Sequence, residues 1–359
     1  MNIYVDDFAL IACKLPTDAH WRSLEKGIRF KDPEEPLERY LGAYYNIQLG
    51  AKAATLEVSM MDFFRDAVEK YMKETGVTKL PTVPTPAIAE DYDCVEPGDQ
   101  ASSAASHLMK LMYGARIGKP CSLTAISFLA RRISVWSKTH DKMLARLMAY
   151  VNSTLHEKLR GILEYTDVDS LELWIWPDAD LGGDLRTTKS TSGCWIELST
   201  PCGSRSWPVA WFSVKQTQTS CSTNESESKT ILTALGFPSE TRAILNALSG
   251  ALRRAVIPLI GLCEHALNRP VKVLCHEDNT QAITAVKKGY SVNLRHLHRH
   301  TRMDVGLSHE VFAEVDESGR KRYLSEIRYA PSDTQKGDLF TKPLERLKLE
   351  AAKKMIRVS

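Results

Sequence analysis

LELWIWPDADLGGDLRTTKSTSG, residues 171–193, is where the pattern of the chain changes from helical spacing to short apolar runs. Leu171–Trp176 is rich in aromatic and branched residues and predicts a strand, with Asp178 directly after it. Ser192–Leu198 and Val209–Val214 carry the same signal and read as its hairpin neighbours. Further on, Val271–Cys275 predicts a short buried strand followed by Asp278, and Arg322–Tyr329 a last strand. Ser228–Ala266 is mostly helical, interrupted near Gly236–Pro238 and at Pro258. Thr280–Lys288 and Leu297–Val315 predict helices, and Thr334–Leu344 begins a final one. This order of strands and helices is an α/β layout with a mixed sheet.

Four carboxylates stand at element ends. If the strands ending near Asp178 and Asp278 are parallel neighbours, both aspartates emerge at the carboxyl edge of the sheet, where ligands bind in α/β folds. Glu227 opens a helix after the Ser/Thr-rich STNESES, and Asp338 opens the last helix in DTQKGDLFTKP. A cluster of four carboxylates is costly unless cations neutralise it. Two Mg²⁺ ions about 4 Å apart would do so, and would serve phosphodiester hydrolysis by activating water and stabilising the leaving 3′ oxygen. Magnesium suits all-oxygen sites. Taken singly, each is one of 44 acidic residues and reads as a surface carboxylate. The surrounding words set them apart.

Those words resemble the copia-type retrotransposon Pol polyprotein. WPDADLGGDLRTTKSTSG is similar to the family's D-A-D-x-x-G…T-x-K-S-T-S-G, and WFSVKQTQTSCSTNESE to its W-x-S-K-x-Q…S-S-T-E-A-E. HEDNTQAI, RHLHRHTRMDVGLSHEVF and APSDTQKGDLFTKPL come next, in the family's order. The resemblance implies a ribonuclease H-like mixed five-stranded sheet over residues 167–350. It implies Asp178, one glutamate, Asp278 and Asp338 as ligands for two Mg²⁺ ions, with Mn²⁺ as a substitute. Asp180 would support structure and Asn279 would contact substrate. Glu227 best fits both the S-T-x-E-x-E word and the helix E-x-x-x-I-x-x-A-L, with Glu225 as its neighbour. Glu240 fits only the helical part, because ETRAILNAL repeats ESKTILTAL. The segment between Glu227 and Asp278 is longer than the family's, which bears on the glutamate's place.

Tyr4-Val5-Asp6-Asp7 resembles the YVDD hairpin of reverse transcriptases, where adjacent aspartates at a tight turn hold metals under a primer end. ERYLGAYYNI, KLPTVPTPAIAE and the helical stretch to Tyr165 are similar to the segments after that hairpin in the family. Residues 1–52 are thus expected to be a partial palm, with Asp6 and Asp7 as catalytic and metal-binding residues. Leu41–Gly50 predicts a strand there. Residues 53–166 are expected to form a helical thumb or connection region, with helices over Thr55–Gly76, Ala101–Met112, Ser122–Trp136 and Lys138–Arg160. The palm's upstream carboxylate and fingers are not in this sequence, so no DNA synthesis is expected from this chain alone. Nucleotide incorporation in a primer-extension assay would contradict that.

The remaining features set bounds. The net charge of +3 neither requires nor excludes nucleic acid. Arg295, His298, Arg299 and Arg302 form a basic run that reads equally as a phosphate contact or a solvated helix face. Arg131, Arg132, Lys138, Lys142, Arg146, Lys158 and Arg160 decorate the earlier helices and could track a duplex backbone. Eight scattered cysteines without a C-x-x-C pair argue against a disulfide framework or zinc ribbon. There is no apolar run long enough for a membrane span, and MNIYVDDFALIACK has no basic region before its apolar part, so a secretory leader is not expected. The expected partners are an RNA–DNA hybrid, template–primer and the rest of Pol, in cytoplasmic virus-like particles and the nucleus. Three functions compete: an active ribonuclease H, an inactive nucleic-acid-binding remnant, and a fold reused as an interaction module.

Overall fold

A computed structural model of the chain describes residues 2–4, 7–9, 17–30, 35, 37–217, 219–235, 256–291, 305–315, 317–321 and 323–359. At the N-terminus β1 (Asn2–Tyr4) and β2 (Asp7–Ala9) pair antiparallel with Tyr4 opposite Asp7, the expected hairpin. Helix α1 (Thr17–Glu25) comes next. Then β3 (Arg39–Tyr40), β4 (Ala43–Leu49) and β5 (Ala53–Ser59) begin an antiparallel sheet, and α2 (Met61–Thr75) lies after it.

Two expected helices are corrected here. Thr55–Ser59 is strand, because Leu56 and Val58 are buried while Thr55, Glu57 and Ser59 between them are not. That is a period of two, and the helix starts only at Met61. Gly76 ends it in the left-handed conformation, φ 73°. Likewise the helix begun at Lys138 stops at Ser153, and Leu159–Glu164 is β6, which pairs with β5 to complete the order β3-β4-β5-β6. Between these lie α3 (Ala104–Ile117), α4 (Leu123–Ala130) and α5 (Lys138–Ser153). Their apolar stripes, including Leu108, Leu111, Ile126, Leu144 and Leu147, are fully buried.

The second sheet is mixed α/β and five-stranded. It uses β7 (Glu172–Ala179), β8 (Thr191–Ser199), β9 (Ser206–Lys215), β10 (Val273–Glu277) and β11 (Ser325–Tyr329), in the order β11-β10-β7-β8-β9. The first three form an antiparallel meander, and β10 runs parallel to both β7 and β11. Around it lie α6 (Thr223–Leu235), α7 (Val256–Leu267), α8 (Thr280–Lys288) and α9 (Val305–Phe312).

Both faces of this sheet are covered, so its central strand carries no polar alternation. Leu173, Ile175, Cys194, Ile196, Val273, Cys275 and Ile327 face a core shared with α6 to α9. Trp174, Trp176, Trp195 and Trp211 face the other way, into the core of the helical region. The helices before residue 166 and the sheet after it therefore share one continuous core. Trp136 and Trp174 are both buried in it.

The segment expected to open the last helix, Thr334–Leu344, is instead two short 3-10 turns, Ser332–Thr334 and Lys336–Phe340. The final helix, α10 (Arg346–Met355), starts later. The turns lie directly on the sheet. A Cβ at Gly337 would stand 2.6 Å from the Cβ of Asp178, and one at Gly193 2.7 Å from the Cβ of Phe340. Glycine at both places is what lets this segment seat against β7 and β8.

Candidate metal centre

Parallel pairing decides where the carboxylates go. Cys275 on β10 stands beside Ile175 on β7, so three residues further on Asp278 and Asp178 leave the same sheet edge at the same level. Helix α6 packs on β7 and β8 and adds Glu227 from its second turn. One carboxylate oxygen each from Asp178, Glu227 and Asp278 lies within 4.8 Å of the others. Asp178 and Glu227 are 3% and 2% exposed, and Asp278 is half-buried.

The surroundings only partly satisfy this cluster. Asp178 Oδ2 accepts a hydrogen bond from the Thr341 hydroxyl, and Asp278 Oδ2 accepts one from Ser332 at 2.8 Å. Glu227 Oε2 is buried without a hydrogen-bond partner among the described residues. Burial, then the charge of Asp338, pushes Asp178 up to about 7. Burial, then the charges of Glu277, Asp178 and Asp278, holds Glu227 well above the usual carboxylate range. Asp338 lies on the turn Lys336–Phe340, not on an α-helix, and its carboxylate is 2.8 Å from the Lys342 ammonium. Burial works against the charge on Lys342, but Asp178, Asp338 and Asp278 outweigh it and raise its pKa.

Four side chains here escaped the sequence reading. Glu277, the last residue of β10, is fully buried and carries a raised pKa, chiefly from burial. Its Oε1 accepts the Asn279 N–H at 3.1 Å while Oε2 has no partner. Lys342 and Thr341 stand inside the family word LFTKPL, where neither drew a role from the sequence. Gln335 donates to the carbonyls of Pro177 and His276 at 3.0 and 3.3 Å, tying the ends of β7 and β10 together.

Other expected residues take different places. Glu225 pairs with Lys229 at 2.8 Å and accepts the Cys221 N–H at 2.9 Å, away from the three clustered carboxylates. Asn279 caps α8, its Oδ1 accepting the N–H groups of Gln281 and Ala282. Asp180 accepts the Thr191 N–H, pinning the start of β8, and burial raises its pKa to about 6. Asp7 lies on β2, but its side chain and all of Asp6 are outside the described residues. Glu240, Arg295, His298, Arg299 and Arg302 are outside them too.

One of the basic residues expected to decorate the early helices is turned inward, and several others are paired within the chain. Arg132 is buried, with its guanidinium between Glu90 at 2.9 Å and Asp184 at 3.0 Å. Arg131 donates to Thr191, and Arg146 to Thr85. Lys138 pairs with Glu96, and Lys158 and Arg160 with Glu57. Of these, Arg132 is a part of the fold, while Lys138 and Arg160 keep about half of their surface exposed.

The donor set fits a hard divalent cation. All three clustered side chains offer oxygen, Glu227 Oε2 lacks a partner among the described residues, and carboxylates crowded out of water favour either a proton or a metal.

No family model matches the sequence, and no solved structure matches it. Among curated proteins the chain is similar to the secreted RxLR effector protein 161 of Plasmopara viticola. The two are 32% identical over 117 residues, which is 33% of this chain and 75% of the effector. With three quarters of the effector spanned at that identity, this chain belongs to the same family as that protein. Among the described residues no helix is long and apolar enough to cross a membrane.

Proposed function

We propose that this chain is a copia-type Pol fragment whose five-stranded module hydrolyses the RNA strand of RNA–DNA hybrids in a Mg²⁺-dependent reaction. The observation that carries this reading is the convergence of Asp178, Glu227 and Asp278 from two parallel strand ends and one helix, with Glu227 Oε2 unpartnered among the described residues. The mixed sheet and the five family words in order support it. Asp178, Glu227 and Asp278 would hold Mg²⁺, with Asp338 beside them. Bound there, Mg²⁺ supplies a Lewis acid for the scissile phosphate and a more acidic water. The chain's own part is to hold the ligands still. Thr341 fixes one oxygen of Asp178, Ser332 one of Asp278, and Gln335 the spacing of the two strand ends. Lys342 places a positive charge beside the carboxylates, where an anionic backbone would arrive.

The test is cleavage of a labelled RNA–DNA hybrid by the purified chain and by Asp278→Asn, with Mg²⁺ and with chelator. Cleavage that needs metal and is lost in the variant supports the proposal. No cleavage, or equal cleavage by both proteins, sinks it. A second reading has one observation in its favour: the curated relative is named a secreted effector. On that reading the module is an interaction domain, and it predicts a correctly folded wild type without hybrid cleavage.

A further inference from the structure

A cavity of about 450 Å³ opens between the helical region and the loop joining β7 to β8. Its walls are apolar: Ala87, Ile88, Phe128, Leu129, Met143 and Leu185. Polar groups gather around Asp180, Thr191 and Thr341. None of the three clustered carboxylates lines it, so it is a separate site, although Thr341 borders both. A cavity of this size, mostly apolar, with a few converging polar groups at the junction of two regions, has the general character of a small-molecule site.

Charge narrows the ligand. Among the described lining residues three are carboxylates, but Glu90 and Asp184 are taken up by Arg132 and Lys215, which leaves Asp180 as the one without such a partner, near Arg131. The Arg131 guanidinium already donates to Thr191 at 3.0 Å. Asp180 is therefore the acceptor left in the polar region, and a carboxylate there suits a hydrogen-bond donor better than an anion. Phe128 and Met143 offer an aromatic face and a polarisable thioether to a flat ring. We propose that this cavity binds a neutral aromatic ring compound carrying one N–H donor, its rings among the apolar walls and its N–H at Asp180.

The test is a fluorescence titration of the full chain with N-phenyl-1-naphthylamine, whose emission rises in apolar surroundings. Saturable one-to-one binding is expected. The matched anion, 8-anilinonaphthalene-1-sulfonate, should bind ~10-fold more weakly or worse, since its sulfonate meets the Asp180 carboxylate. Ala125, a buried lining residue, offers a way to fill the cavity. Ala125→Phe should weaken the neutral probe by ~10-fold or more. Ile88→Trp, at a lining residue that is 38% exposed, narrows the cavity without disturbing the core and decides alone if Ala125→Phe does not fold by thermal melting. Absence of saturable binding, tighter binding of the sulfonate, or wild-type affinity in the folded variants overturns the proposal. The outcome is independent of hybrid cleavage, because the titration needs neither Mg²⁺ nor nucleic acid.

Discussion

The two larger sheets treat their acidic residues in opposite ways. On the four-stranded sheet Glu57 lies between Lys158 at 2.7 Å and Arg160 at 3.1 Å, and the bond from Lys158 holds its carboxyl below the usual range. On the five-stranded sheet Asp178 and Glu227 are buried beside like charges, and their carboxyls rise instead. Where the chain supplies its own cation, a carboxylate is a structural part. Where it withholds one, the buried carboxyl favours its proton. Asp184 shows that the second sheet is not simply short of cations, since Arg132 and Lys215 neutralise it a few residues from Asp178. Antiparallel pairing sets Glu57 directly opposite Arg160, whereas parallel strands bring two carboxylates to one edge.

The largest effect should come from breaking an internally neutralised group. Arg132→Met leaves Glu90 and Asp184 buried without their main counter-charge and should destabilise the fold by ~3 kcal/mol or more, read by denaturant unfolding. A loss below ~1 kcal/mol would mean that these carboxylates do not depend on it. Next, Glu227→Gln should lower hybrid cleavage by ~100-fold or more and remove the rise in melting temperature that Mg²⁺ gives the wild type. An unchanged metal-induced rise would place the cation elsewhere.

Acidity sharpens the contrast further. In metal-free protein Asp178 keeps its proton up to about 7, whereas the unfolded chain releases it in the ordinary carboxylate range. The folded state then binds the extra proton, so stability falls as pH rises between those two values. Chelator-treated protein should therefore melt lower at about pH 8 than at about pH 5, and Mg²⁺ should shrink that difference. A melting temperature that rises across the same window without metal would break the comparison. The smallest effect belongs to Glu57→Gln, which removes a partly exposed pair and should shift stability by no more than ~0.5 kcal/mol.

Much of the five-stranded sheet was legible in the sequence because burial on both faces writes strands as plain apolar runs, as in LELWIW and VKVLC. The first sheet was harder. AATLEVS runs straight into a helix, and its weak alternation was absorbed into the helical pattern of Met61–Thr75. LRGILE was lost the same way behind α5. The turns at Ser332–Phe340 were read as helix because their polar, acidic start resembles a helix N-terminus. What decides them is contact with β7 and β8 through Gly337 and Gly193, which no local pattern reports.

The feature that began with Asp178 ends in a similar division. The sequence by itself determined that acidic residues would stand at strand ends, because apolar runs stop where they do and local pattern sets element boundaries. It also narrowed the glutamate to Glu225, Glu227 or Glu240. Only the tertiary structure decided which carboxylates share one space. Glu227 joins Asp178 and Asp278 while Glu225, two residues away on the same helix, is turned to Lys229. Helical rotation of ~100° per residue sends such neighbours in different directions, and only packing of α6 on β7 settles which one meets the strand ends. The same holds for charge. Forty-seven lysines and arginines are plain in the sequence, but which carboxylates they neutralise depends on three-dimensional distance.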